Sequence, residues 1–298
     1  MSVRSIQPGH GRIVVRNDGF SNVFSELSAA YPLKLLSPQL SSSNVSVVYM
    51  LSYGGGLVGG DQIQMDVEVL HGAHLALLSQ GSTKVFKTRP GQRLSARTES
   101  NLTTRQRLQV HVSSKSALFL LPDPVTCFSA ARYHQTQVFR LAKDSSAVLL
   151  DWVTSGRKSL GEDWAFSRYY SVNEVWIDDQ RIARDATLLE ERDDQGSLTP
   201  RTLAETLAPY SCYATVIMYG ELVENTCRNL AAAYSAITVF KQHAPPSLIW
   251  SLSTICDGKG CIVRVAAKET EDVKNWLGKA LVDFEGVLGV DVFRRTFS

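Results

Sequence analysis

Four carboxylates and a pair of hydroxyls stand where a turn or a strand end would fix them. Asp61 closes the run Ser52-Tyr-Gly-Gly-Gly-Leu-Val-Gly-Gly-Asp61. Ser82-Thr83-Lys84 follows Gly81, Asp123 lies between Pro122 and Pro124, Asp151 interrupts the apolar run Ala147 to Val153, and Gly156-Arg157 precedes Gly161-Glu162. Carboxylates whose surroundings split their pKa values supply an acid and a base, so Asp61, Asp151 and Glu162 together would suit a hydrolase. Their spacing does not make them meet, and each is also a turn former able to satisfy its own backbone. A structural β-domain, with its glycines serving turns alone, is the third reading of the same residues.

Other chemistry is thinner. His71-x-x-His74 straddles Gly72-Ala73 and reads as a surface pair, because the rings need not face one another across a turn. Cys256 and Cys261 bracket Asp-Gly-Lys-Gly, a pair flanking a turn, since a zinc site needs further ligands at knuckle spacing. Five cysteines in 298 residues are odd in number and sparse, which fits reduced thiols. There is no Walker G-x-x-x-x-G-K-[ST], no H-E-x-x-H, no G-x-S-x-G and no C-x-x-C. Gly54, Gly56 and Gly59 satisfy G-x-G-x-x-G after the apolar run Val45 to Leu51, but that fingerprint must open a helix. Here Ile63, Met65, Val67 and Val69 alternate with polar residues instead, the period of a half-buried strand.

The elements that hold these groups are therefore mostly strands. Ala73, Leu75 and Leu77 alternate, as do Leu108, Val110 and Val112; Ala117 to Leu121, Ala147 to Val153, Tyr169 to Ile177 and Tyr213 to Tyr219 add more, with turn signals between them. Many short, evenly spaced strands predict a mainly β chain, a sandwich, barrel or stacked sheet. Helical period appears only late. Leu222, Val223, Cys227, Leu230, Tyr234 and Ile237 form one apolar stripe, and Val273, Trp276, Leu277, Ala280, Leu281 and Phe284 form a second, opened by Thr270 with Glu271 and Asp272 and ended by Gly286. Packing on the sheet is the ordinary use of such stripes. The polar stretches Asp193 to Pro200 and Ala244 to Ser247 are too short for interdomain linkers, so residues 1–298 read as a single domain.

Composition bounds the partners. Thirty-one Lys and Arg against 29 Asp and Glu leave a formal charge of +2, far from the basic excess of a nucleic-acid binder. With 44% hydrophobic residues the chain can build a large core, yet no apolar run reaches the roughly 18 residues that span a bilayer. Met1 to Arg12 carries no apolar signal core, so the expected location is cytoplasmic, with no membrane association.

Four of these motifs recur in order over most of the chain. The glycine run with Asp61, then Gly-Ser-Thr-Lys-Val-Phe-Lys at 81–87, Leu-Pro-Asp-Pro-Val at 121–125 and Gly-Arg-x-x-x-Gly-Glu-x-Trp at 156–164 resemble the UreD (UreH) family of urease accessory proteins. Tyr219-Gly220 with the helix after it, and Val263-Arg264-Val265 before the last helix, fit the same pattern. The departure is the C-terminus: the family often ends in a Pro-Arg-x-Trp-like segment, where this chain has Val292-Phe293-Arg294-Arg295-Thr296-Phe297.

The resemblance implies a strand-rich β-helical fold with two helices near the C-terminus and a non-catalytic role. It implies a nickel metallochaperone scaffold that docks on apo-urease with UreF-like and UreG-like (GTPase) partners, with no tightly bound cofactor and nickel only in transit. Asp61, Ser82, Thr83, Asp151 and Glu162 match passage-lining or motif positions, since a divalent ion in transit needs oxygen contacts that hold it weakly. It also makes Trp276, Leu277, Leu281 and Phe284, in the second stripe, a predicted partner interface whose exposure would promote aggregation of the isolated chain.

Overall fold

Consecutive strands fall alternately into two sheets. Val45–Ser52, His74–Ser79, Ala117–Leu121 and Ser146–Thr154 pair in parallel in one sheet, and Gln62–Leu70, Thr104–Val112, Arg132–Leu141 and Arg168–Ile177 pair in parallel in the other. Parallel neighbours usually need a long helical crossover; here the crossover is a strand of the opposite sheet. The chain winds as a stacked β-coil, the β-helical architecture expected, in a computed structural model that describes residues 6–38, 45–87, 103–190, 201–237 and 245–297.

The sheet of Gln62–Leu70, hereafter the first, has seven strands, bounded by Asn22–Ala29 at one edge and Gln180–Glu190 at the other. The second extends past Ser146–Thr154 through the antiparallel strands Cys212–Tyr219, Gly260–Ala267 and Leu248–Ile255. Between the sheets lies one apolar core, to which the Gln62–Leu70 strand contributes Ile63, Met65, Val67 and Val69 as its alternation predicts. The outer face of the second sheet carries another core under the C-terminal helices. Strands of that sheet are thus covered on both faces, which is why Ala117–Leu121 reads as an unbroken apolar run and is buried throughout.

Both predicted helices form, with different ends. Glu224–Ser235 buries Cys227 and Leu230 of its stripe and leaves Leu222, Tyr234 and Ile237 exposed around it. Thr270–Ala280 stops short of the expected Gly286, because the chain turns at Leu281 to seat Phe284 edge-on to Phe119, ring centroids 5.7 Å apart. Leu277, Leu281 and Phe284 are between 0% and 1% exposed. The interface expectation is therefore corrected for these three: they complete the chain's own core and have no surface to offer. Trp276 alone keeps a partly exposed edge, against Trp250. The divergent tail forms a further helix, Val290–Phe297, whose Phe297 lies over Gly278 where a Cβ would come within 3.2 Å of it. The predicted loop Asp193 to Pro200 falls outside the described residues, as does Ala244 of the second polar stretch.

Candidate functional site

A two-residue period assigns each strand residue to one face. Tyr133, Phe139 and Leu141 put the odd positions of Arg132–Leu141 into the inter-sheet core, which carries Gln135 and Gln137 inside with them. In Arg168–Ile177, Tyr169 and Val175 bring Ser171 and Asn173 inside; in Gln180–Glu190, Ala183 brings Asp185. These residues are neighbours in register: Gln106, Gln135, Ser171 and Thr187 form one transverse row, and Gln137, Asn173 and Asp185 the next. The second sheet answers with Asp151, Thr215, Arg264 and Ser251, again consecutive partners across its strands. Two polar rows of one sheet thus face one of the other across an otherwise apolar interior, forming a polar band, here called the corridor, that runs across the strands.

Asp151 is its centre. Gln135 Nε2 donates to Oδ1 at 3.0 Å, while Ser171 Oγ and Asn173 Nδ2 donate to Oδ2 at 2.6 and 2.7 Å. All three are neutral donors from the opposite sheet, and no salt bridge reaches this carboxylate among the described residues. Burial raises its carboxyl above the usual aspartate range, the three hydrogen bonds oppose that rise, and the charge of Asp185 adds to it. Its remaining surface faces a cavity lined also by Ser79, Thr83, Gln106, Asp123 and Gln137. That cavity offers about 70 Å³ to the centres of water-sized molecules, several times the roughly 10–15 Å³ one water needs. Asp151 is thus a half-buried carboxylate, held by neutral donors alone, that opens on a space also lined by Arg107. Among the described residues no group of three or more His, Cys, Asp or Glu side chains converges to hold a metal.

The other predicted site residues are placed differently. Thr83 lines the cavity and Ser82 flanks it, on a segment held by Thr83 N–H donating to the Pro124 carbonyl at 3.0 Å. Asp123, between its prolines, accepts from Ser79 Oγ at 3.2 Å and Gly81 N–H at 2.9 Å and fixes the cavity wall. Asp61 Oδ2 accepts the Val58 N–H at 2.7 Å, and the Asp61 N–H returns to the Val58 carbonyl at 2.9 Å, so this carboxylate caps its own turn. Glu162 accepts both arms of the Arg157 guanidinium and the Ser129 N–H, which holds its carboxyl below the usual glutamate range. Arg157 in turn lies 3.9 Å over the Phe128 ring. Asp61, Asp151 and Glu162 share no partner, so the acid–base cluster of a hydrolase is not assembled.

Close approach explains Gly56 in the glycine run, and left-handed backbone explains Gly54, Gly55 and Gly60. The Leu57 N–H donates to the Lys84 carbonyl and the Phe86 N–H to the Leu57 carbonyl, each at 2.8 Å. That docking leaves no room at Gly56, where a Cβ would stand 2.7 Å from the Lys84 carbonyl oxygen and 2.6 Å from Phe86. A strand, Gln62–Leu70, follows where the dinucleotide fingerprint would need a helix.

Gln135, Gln137, Ser171, Asn173, Asp185 and Arg264 escape a reading that looks for acids at turns. A signal was present: each is a polar residue standing in the apolar phase of its strand.

A family model described as UreD urease accessory protein matches residues 7–290. Urease accessory protein 4 of Cryptococcus neoformans var. grubii is 39% identical over 295 residues, covering 92% of this chain and 89% of that protein. Urease accessory protein D of Arabidopsis thaliana is 35% identical, with 94% and 97% covered, and UreD of Sorangium cellulosum 34% identical, with 98% and 85% covered. Agreement of this extent places the chain in the UreD family of urease accessory proteins.

Proposed function

We propose that this accessory protein passes nickel to apo-urease along the inter-sheet corridor and performs no covalent chemistry of its own. The observation that carries the reading is Asp151, a carboxylate held by three neutral donors and facing a cavity wide enough for several waters. Hard oxygen ligands with retained water suit a divalent ion that must leave again, whereas a closed His/Cys cage would trap it. Asp61, Ser82 and Glu162 then serve the passage indirectly, by fixing the loops that frame it. A UreF-like protein and a UreG-like GTPase complete the assembly in the cytoplasm, the GTPase supplying the nucleotide chemistry for which this chain has no loop.

The test is nickel content and activity of urease in cells carrying Asp151→Asn, beside a pull-down that follows assembly with the accessory proteins. Nickel-poor urease from an intact complex is expected. Fully loaded urease from that variant would remove Asp151 from the path.

A further inference from the structure

Beyond Asp151 the polar row of the second sheet leads to an ion pair. In the second sheet the inward-facing partners run Asp151, Thr215, Arg264. Arg264 Nη2 crosses to the first sheet and donates to Asp185 Oδ1 at 2.6 Å, the one salt bridge among the described residues that joins the two sheets. Asp185 is itself the register partner of Asn173, which bonds Asp151, and its charge acts on Asp151. Asp185 is therefore the next carboxylate along the rows from Asp151, with a positive charge already seated on it.

The two members of the pair are unequally placed. The Asp185 side chain is 10% exposed and fixed on a strand, while that of Arg264 is 48% exposed on a long stem. The guanidinium can swing into water, where it is well solvated; the carboxylate stays where it is. We propose that Arg264 gates the far end of the corridor, covering Asp185 when closed and surrendering it as an oxygen contact for the cation when open. The inference rests on the nickel-passage reading. It explains an otherwise poor arrangement, since a half-exposed ion pair adds little stability and places a cation beside a route for cations.

Purified full-length chain is dialysed against nickel chloride, and bound metal is measured. Arg264→Gln leaves Asp185 uncompensated beside Asp151 and should tighten nickel binding about tenfold or more; adding Asp185→Asn should return it to the wild-type level. Arg264→Lys keeps the charge and should leave binding within about twofold of wild type, which also serves should Arg264→Gln fold poorly. Wild-type affinity in folded Arg264→Gln, a gain that survives Asp185→Asn, or a tenfold gain in Arg264→Lys would each overturn the gate. Nickel loading of urease in cells separates the two ideas. If Asp151→Asn loads urease fully, the passage fails; if it starves urease while Arg264→Gln matches wild type in both loading and binding, the gate alone fails.

Discussion

Replacing Asp151 by asparagine removes a charge from the corridor and little else, so its effect on stability can be worked out separately from its effect on nickel. Hydrogen bonds to a charged group contribute about 1.5–3 kcal/mol each and those between neutral groups about 0.5–1.5. Three donors therefore forfeit about 3–5 kcal/mol when their acceptor becomes neutral. The carboxyl is nonetheless raised above its ordinary 3.8, so desolvation outweighs those bonds, consistent with a penalty of several kcal/mol for a buried ion. A group raised in the folded state contributes stability that is full below its unfolded pKa and lost as pH rises through the folded one. Wild type bears that loss at neutral pH and the asparagine variant does not. The new amide fits if Gln135 turns its own amide over, presenting its oxygen to Asn Nδ2 while Ser171 and Asn173 keep Oδ1 as acceptor.

The expected result is an Asp151→Asn protein that melts at or above wild type at pH 7, by about 2 °C for each kcal/mol recovered. The two curves should converge toward pH 4. Thermal unfolding followed by circular dichroism across pH 4 to 8 measures this directly. A variant melting several degrees lower at neutral pH, or a difference that grows toward acid, would mean that the carboxylate holds the sheets together. Its retention would then need no cation to explain it.

Gly56→Ala should cost about 2 kcal/mol or more, since its Cβ meets a backbone carbonyl that cannot move without undocking the loop; an unchanged melting temperature would refute the docking. Leu277→Ala should cost about 2–5 kcal/mol as a core cavity, while Val282→Ala, at an exposed position nearby, costs less, and equal losses by urea titration would contradict the burial. Glu162→Gln should fall beneath wild-type stability at pH 7, and the gap should close as pH falls from near 4.5 through the depressed folded value, because a lowered carboxyl contributes in full above its unfolded pKa and loses that contribution through its folded one. Cys256 is partly exposed whereas the other four cysteines are buried, so native alkylation at pH 8 should modify Cys256 first, and early labelling of Cys127 or Cys212, whose thiols burial also raises, would refute their placement.

Much of the framework was legible because period two is set locally. The phase of Gln62–Leu70 and the unbroken run at Ala117–Leu121 state correctly which strands are covered on one face and which on two. The helix Leu203–Leu207 was not expected, although Thr202 and Glu205 form a capping box, because five residues are too few to display a helical period. Burial of Leu281 and Phe284 was illegible for another reason. An apolar stripe announces that something covers it, and only the fold decides whether that is the chain itself or a partner.

The corridor was hidden by the same alternation that revealed the sheets. Polar residues inside a strand are ordinarily assigned to solvent, so Gln135, Gln137, Ser171 and Asn173 pass as surface positions until Tyr133, Phe139, Tyr169 and Val175 fix the phase. One polar residue in the apolar phase is a local cost, since a buried amide or hydroxyl must find a partner to offset its lost hydration. On three adjacent strands, at matching register, such residues become each other's partners, and Asp151 on the facing sheet completes the set. No turn motif predicts this, because it exists only once register is known. The polar interior of this chain is thus a band of misplaced polarity crossing the strands, while the glycine and Arg157–Glu162 motifs hold loops at its ends.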